Sequence, residues 1–406
     1  MGRIPGRVWT LGFAAFVALA ACHRDPPIAA DDADIAGDGE GDLPAGCEGD
    51  ATYDGICFDL VSAALPSDGL TLADLDGDGR AELLAYSFAN STLHLLEYLD
   101  GQVVRTSTAT IAFDTSSGVS RIATADFDGD GSQEILVSRS GAASLHRVEA
   151  GQLTSPIWGG EAMGAFDYPQ PFGSPSGPAA VVASSSGVPF QQNVSVFHYD
   201  QGTLEESVPI GTAGCWLAGG AASGDFDGNG TVDAAFTFDT GDCEKYSDPG
   251  QGLFVILSDL ILSEQGASIA SSETYSAPSL GRLLVGQLDD SPGLELVAAT
   301  ASELLIFDEF PLTPDSAPVV HSLSDGVEFG VPVDLDGDGV DEIVVRVDDT
   351  LRVADDITKL MDTDPFSSVV DLAPALLLRG DLNGDGIEDL AAPIPDGLIA
   401  LISEQT

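Results

Sequence analysis

Apolar residues in this chain come in short runs rich in Val, Ile, Leu and Ala, separated by tight acidic or glycine-rich turns. Runs of four to eight residues between turn signals predict β-strands rather than helices. One arrangement returns throughout: an apolar stretch, an acidic loop, then a second apolar stretch. The clear copies of the loop with its following strand are DLDGDGRAELL from Asp74, DFDGDGSQEIL from Asp126, DFDGNGTVDAA from Asp225, DLDGDGVDEIV from Asp334 and DLNGDGIEDLA from Asp381. A decayed sixth, QLDDSPGLELV from Gln287, keeps the length and the closing Glu295 but has lost the first acid. From Asp126 to Asp225 is 99 residues, about two repeat lengths, and FDYPQPFGSPSGPAAVVASS from Phe166 fits a further unit whose loop is rebuilt with Pro and Gly.

The rest of each unit recurs too, as a strand-like run followed by a turn: STLHLLEYLDGQ, ASLHRVEAGQ, VSVFHYDQGT, QGLFVILSDL, ELLIFDEF, TLRVADD and GLIALISEQ. Each unit therefore offers about four short strands in 47 to 62 residues. A sheet of that size cannot bury both faces alone, so the units must pack on one another, as propeller blades or as a linear solenoid. The last unit, from Pro374, has room for three strands, while ICFDLVSAAL (56–65) is strand-like and precedes the first full unit. Pairing these two ends closes a ring and removes open sheet edges. The expected fold is all-β: a seven-bladed propeller of four-stranded blades, residues 47–406, with an N-terminal strand completing the last blade.

Composition adds the setting. The 66 Asp and Glu against 14 Lys and Arg give a net charge of -52, which works against contact with phosphates or anionic headgroups and excludes nucleic acid as an expected partner. Such self-repulsion disfavours a compact chain unless cations sit among the carboxylates. Arg3 and Arg7 followed by the apolar run Val8 to Ala21 predict a signal peptide over residues 1–22. Its end, Leu19-Ala20-Ala21-Cys22, resembles the bacterial lipobox, which implies lipidation of Cys22 and an exported chain anchored to the envelope, at the outer membrane or cell surface. Residues 23–46 hold almost no large apolar side chains and predict an acidic tether. The four remaining cysteines suit two disulfides in an oxidising compartment. Three pairings are possible; Cys47 with Cys57 are near in sequence, and Cys215 with Cys243 each lie 14 residues from Asn229, where antiparallel strands would bring them together.

The loops carry the chemistry. Positions 1, 3, 5 and 9 offer side-chain oxygens, with glycines at 4 and 6. The sets are Asp74, Asp76, Asp78 and Glu82; Asp126, Asp128, Asp130 and Glu134; Asp225, Asp227, Asn229 and Asp233; Asp334, Asp336, Asp338 and Glu342; and Asp381, Asn383, Asp385 and Asp389. Calcium takes six to eight oxygens, and the carbonyl at position 7 (Arg80, Ser132, Thr231, Val340 and Ile387) is the expected addition. Magnesium, with its stricter octahedron, fits less well. The decayed loop would be a weaker site built on Gln287, Asp289, Ser291 and Glu295. An EF-hand needs a bidentate Glu at position 12, where these loops have Ala85, Val137, Phe236, Val345 and Ala392, so that reading fails.

These loops resemble those of FG-GAP or VCBS repeats, the units of the propeller in integrin α-subunits and in many bacterial surface proteins. The resemblance covers the chain from about Ile56 and implies about five calcium sites in the hairpins between first and second strands. The Phe-Gly and Gly-Ala-Pro signatures are poorly kept, with Phe329-Gly330 the nearest echo. Calcium is expected to be structural, neutralising each cluster and pinning its hairpin.

No catalytic constellation is visible: there is no HExxH, no GxSxG and no phosphate-cradling loop. His94, His146 and His198 fall in equivalent strand runs of successive units and are expected to be repeat echoes. Arg379-Gly380-Asp381 spells an adhesion tripeptide, but Asp381 opens a metal loop. Aromatics in irregular Gly/Pro-rich insertions, Trp158, Tyr168, Trp216 and Tyr246, are candidates for a ligand face opposite the metal loops. The expected function is a lipid-anchored surface module for adhesion or scaffolding, not an enzyme, that recognises a protein or glycan at the envelope and meets the membrane only through the Cys22 lipid. The alternative is a carbohydrate-active enzyme, such as a polysaccharide lyase, on the same propeller, in which basic residues or calcium would neutralise a uronate carboxylate, with Lys245 and Arg282 the basic residues to test.

Overall fold

A computed structural model describes residues 51–53, 56–65, 69–87, 90–111, 121–130, 132–139, 142–161, 167–173, 180–187, 191–200, 203–211, 220–239, 251–257, 271–276, 282–289, 291–300, 302–308, 310, 318–323, 327–347, 350–354, 364–365, 377–394 and 397–404. All belong to one unit, Leu43–Thr406. The signal segment, the tether and Cys22, Cys47, Cys215 and Cys243 lie outside the described residues, as do Trp216, Lys245 and Tyr246.

The described strands form antiparallel sheets in chain order. The chain begins with β1 (Ala51–Tyr53) and β2 (Ile56–Ala63), to which the last sheet returns. The first full unit is β3 (Gly69–Ala73), β4 (Glu82–Ser87), β5 (Thr92–Leu99) and β6 (Gln102–Thr110). The second is β7 (Arg121–Ala125), β8 (Glu134–Arg139) and β9 (Ala142–Glu149), whose outer edge takes both β10 (Gln152–Leu153) and β11 (Trp158–Glu161). The third is β12 (Asp167–Phe172), β13 (Ala180–Gly187), β14 (Gln191–Asp200) and β15 (Thr203–Gly211). The fourth is β16 (Ala221–Gly224), β17 (Asp233–Asp239), β18 (Gln251–Leu257) and β19 (Ser271–Ser276), and the fifth β20 (Arg282–Gly286), β21 (Glu295–Ala299), β22 (Glu303–Phe307) and β23 (Val319–Ser322). The sixth is β24 (Val327–Val333), β25 (Glu342–Val347), β26 (Thr350–Ala354) and β27 (Asp364–Pro365). The last is β28 (Leu378–Gly380), β29 (Asp389–Ile394) and β30 (Gly397–Glu404), and its next strand is β2, joined to β30 from Cys57↔Glu404 to Ala63↔Leu398.

Burial explains the strand sequences. The second strand of a unit is apolar at almost every position because both of its faces are covered: β4 is buried throughout, and β21 and β29 over their first four residues. The outer strand has one wet face, so β6 alternates and β23 leaves Val319 and Val320 about half exposed. The two faces of β4 meet different sheets. Leu84 and Tyr86 pack with Ile135 and Val137 of the second sheet, whereas Leu83 and Ala85 pack with Ala391, Leu398 and Ala400 of the last. Each such buried leucine contributes roughly 1.5–3 kcal/mol relative to an exposed one. The first strands also stand side by side: β7 lies against β12, β12 against β16, β16 against β20, β20 against β24, β24 against β28, and β28 against β3.

Two sequence expectations change here. Trp158 and Tyr168 do not sit in loops; Trp158 pairs with Leu145 in β11, and Tyr168 lies within β12. The prolines that suggested a loop are absorbed by a register shift in β12 between Asp167 and Gln170, where Pro169 has no N–H for the ladder. The second sheet is also not a plain four-stranded one, because β9 shares its edge between β10 and β11.

Candidate metal centres in the acidic loops

Each acidic loop connects the first strand of its sheet to the second and is wound by its own side chains. The position 1 carboxylate accepts from the amides of positions 4 and 6: Asp74 from Gly77 at 2.8 Å and Gly79 at 3.1 Å, Asp334 from Gly337 at 2.7 Å and Gly339 at 3.0 Å, Asp381 from Gly384 at 2.6 Å and Gly386 at 2.9 Å. Asp225 takes the Gly230 amide at 2.8 Å and Asp126 that of Gly129 at 2.7 Å. Position 3 accepts from the amide of position 5, in Asp76, Asp128, Asp227, Asp336 and Asn383. Position 5 accepts from the amide of position 7, in Asp78, Asp130, Asn229, Asp338 and Asp385, whose donors are Arg80, Ser132, Thr231, Val340 and Ile387. The winding requires positive φ at positions 4 and 6, from 69° at Gly228 to 91° at Gly339, which only glycine adopts without strain.

Position 9 is the buried pole. Glu82, Glu134, Asp233, Glu295, Glu342 and Asp389 are all buried, and each accepts the amide of position 2, from Leu75, Phe127, Phe226, Leu288, Leu335 and Leu382. The position 2 side chain anchors the loop: Leu75, Phe127, Phe226, Leu335 and Leu382 are at most 1% exposed. This repeated pair was legible in the sequence as a Leu or Phe after the first acid, and spacing alone did not single it out.

The converging carboxylates create a strong demand for a cation. Ligand atoms of Asp74, Asp76 and Asp78, of Asp126, Asp128 and Glu134, of Asp225, Asp227 and Asp233, and of Asp334, Asp336 and Glu342 lie within 4.8 Å of one another. Burial, reinforced by neighbouring aspartates, pushes Glu82 and Glu134 up to about 7 and Glu342 up to about 8; burial likewise lifts Asp389 to about 7 and raises Glu295. A carboxyl whose pKa is raised on folding stabilises the fold while protonated, and that contribution is lost as pH rises through the folded value. In chelator, then, the denaturation midpoint is expected to fall between pH 5 and pH 8, and millimolar calcium at pH 8 to restore it. Urea melts at the two pH values check this.

The loops also engage one another, which the sequence reading did not anticipate. The position 8 amide of one loop donates to the position 1 carbonyl of the acidic loop before it, Leu294 to Asp225 at 2.8 Å, Asp341 to Gln287 at 2.6 Å and Glu388 to Asp334 at 3.0 Å, and Ala81 of the first loop donates likewise to Asp381 of the last at 2.6 Å. Val232 makes the same junction with Gly173, at 2.7 Å, and receives the Gly173 amide in return at 2.8 Å. Gly173 thus holds the place of position 1 in the rebuilt third loop. Acidic position 8 residues add a second strut, since Asp341 accepts the Gln287 amide at 2.9 Å and Glu388 the Asp334 amide at 3.1 Å. The glycine before a loop permits the approach: a Cβ on Gly286 would come within 2.6 Å of Pro332.

Several predicted residues acquire defined roles. Gln287, in place of the first acid, donates Nε2 to the carbonyls of Asp289 at 2.6 Å and Ser291 at 2.7 Å, and the Ser291 hydroxyl donates to Glu295 at 3.0 Å. The decayed loop therefore satisfies much of itself by hydrogen bonds. Arg379 is bonded to Asp341 and to the Pro332 carbonyl and lies 3.5 Å from Glu388, so the Arg379-Gly380-Asp381 tripeptide is part of the loop scaffold. Arg282 of β20 donates to the carbonyls of Gly330 in β24 at 3.0 Å and of Leu377, just before β28, at 3.1 Å. The histidines do share the third strand of their sheets but not the register: His94 faces Ala85 and His146 faces Ile135. Burial takes His146 down to about 4, and its Nε2 lies 2.9 Å from the Ser144 hydroxyl.

A family model for the FG-GAP-like repeat matches residues 74–137, the first two acidic loops and the sheet between them. No curated protein matches the chain by sequence. Among solved structures, a chain from BBS1N in complex with ARL6DN, soaked with mercury, is similar at TM-score 0.52 and 11% identity, over 85% of this chain and 94% of that one. The β-propeller domain of Myceliophteria thermophila Cps50 (Swd1) is similar at TM-score 0.50 and 12% identity, over 85% of this chain and all of that one. At such identity the likeness is one of fold, and the fold is that of a β-propeller.

Proposed function

We propose that residues 47–406 form a closed seven-bladed propeller whose acidic loops hold structural calcium, displayed from the envelope as a binding or scaffolding module. The observation that carries this reading is the junction between the last loop and the first, Ala81 to Asp381, in line with the pairing of β2 and β30. The same kind of contact links the loops at 74, 225, 287, 334 and 381 to one another. The donor set suits calcium: clustered carboxylate oxygens match a hard cation that takes six to eight oxygen ligands. Lipidation at Cys22, a tether over 23–46, and the pairs Cys47 with Cys57 and Cys215 with Cys243 belong to this proposal. The ligand is a protein or glycan of the envelope, met on the face away from the metal loops, and the chain acts without catalysis. The commitment of Arg282 to main-chain carbonyls removes one of the two cations, Lys245 and Arg282, that a uronate lyase could turn to its substrate, and so supports the module reading.

The test is to screen the calcium-saturated chain for saturable binding to envelope glycans and proteins, while assaying uronate polymers for unsaturated products. Binding without product is expected. Formation of unsaturated ends, lost on Lys245→Ala, would replace the module reading with the lyase.

A further inference from the structure

The second loop differs from its siblings in one respect that spacing alone does not reveal. Its position 9 residue, Glu134, faces Arg147 directly across the β8 and β9 pair. Nη2 of Arg147 is bonded to Asp128 and lies 3.0 Å from Oε1 of Glu134, and Nη1 lies 3.4 Å from Oδ2 of Asp130. The guanidinium thus reaches positions 3, 5 and 9 of a single loop. Glu134 is fully buried and the arginine side chain only 20% exposed, so the bond between them is made largely out of water, while the Asp130 contact lies nearer the surface. Continuing the strand registers, the residue opposite position 9 is Glu97 in the first sheet, Leu257 in the fourth, Asp308 in the fifth and Ile402 in the last; in the sixth it is residue 355, outside the described residues. None of those four is a cation.

A calcium ion would have to sit about 2.3–2.6 Å from the same oxygens. A guanidinium nitrogen 3.0 Å from Glu134 and bonded to Asp128 fills that volume. The two are mutually exclusive, and the arginine has the advantage of being covalently present. Charge-assisted hydrogen bonds to carboxylates are among the stronger ones available to a side chain.

We propose that Arg147 is the resident cation of the second loop, so that this loop keeps its shape without metal and calcium binds at the other acidic loops. The proposal rests on the calcium reading for those other loops. In this arrangement Arg147 is to Asp128, Asp130 and Glu134 what calcium is to Asp74, Asp76, Asp78 and Glu82. One blade is then held independently of calcium supply.

The experiment counts tightly bound calcium per chain, by metal analysis after dialysis against a fixed free calcium concentration, in the unaltered chain and in Arg147→Gln. Removing the charge while keeping a polar side chain is expected to raise the count by one, and Arg147→Gln combined with Asp128→Asn to return it to the starting value. Equal, non-zero counts in the unaltered chain and Arg147→Gln would overturn the proposal and leave the calcium reading standing. A count of zero in every chain would overturn both. Should Arg147→Gln not fold, anomalous diffraction from calcium-soaked crystals of the unaltered chain decides the matter. Ions in the loops at 74 and 334 with none at 126–134 support the proposal, and an ion at 126–134 with Arg147 turned away defeats it.

Discussion

Phe58→Ala is expected to destabilise the chain by about 3–5 kcal/mol, the cost of a large-to-small change in a sealed core. Phe58 is completely buried in the N-terminal strand β2, yet the cluster around it is drawn from the end of the chain. It packs with Leu390, Leu401 and Ile399 of the last sheet and with Val331, Val333 and Val353 of the sixth. A strand that merely lay on the surface would lose less than about 1 kcal/mol from the same change. Equilibrium urea unfolding reads the difference: a lower midpoint with an unchanged slope is expected. Loss of that size from a residue 273 or more positions away from these neighbours would mean that the two ends of the chain stabilise each other.

How far the sequence carries can be judged at particular residues. The segment 56–65 was legible as a strand in need of a sheet, because the last unit offers three strands and ICFDLVSAAL offers one more; β2 pairs with β30. The acidic loops were legible because acids and glycines recur at fixed spacing. What spacing could not convey was the contact between units. Asp341 and Glu388, at position 8, look like surplus surface charge in the sequence but accept the amides of Gln287 and Asp334 in the neighbouring loop. Arg147, 13 residues beyond Glu134, becomes its partner only once the hairpin of β8 and β9 sets the register. Trp158 and Tyr168 misled for a related reason: glycine and proline signal turns locally, whereas an available strand edge at β9 or a tolerated register shift in β12 draws them into sheets.

The calcium dependence of unfolding carries the largest expected effect. Each loop concentrates carboxylates within a few ångströms around a buried acid, and folding without a counter-ion forces Glu82, Glu342 and Asp389 to hold protons near neutrality. A cation relieves the repulsion at every loop it occupies, and only the folded chain assembles the ligands. A site held at 100 times its dissociation constant adds about 2.7 kcal/mol, and several such sites add in proportion where they are independent. The loop junctions, such as Asp341 to Gln287 and Glu388 to Asp334, carry the constraint from one sheet to the next, so the effect should appear in one cooperative transition.

The deciding measurement is the thermal unfolding of the full chain at pH 8 with millimolar calcium and again with excess chelator. The account predicts a fall in Tm on the order of 10 °C or more on chelation, reversed by calcium and reproduced poorly by magnesium. An unchanged Tm would contradict it, because loops that fold equally well without a cation cannot owe their stability to one.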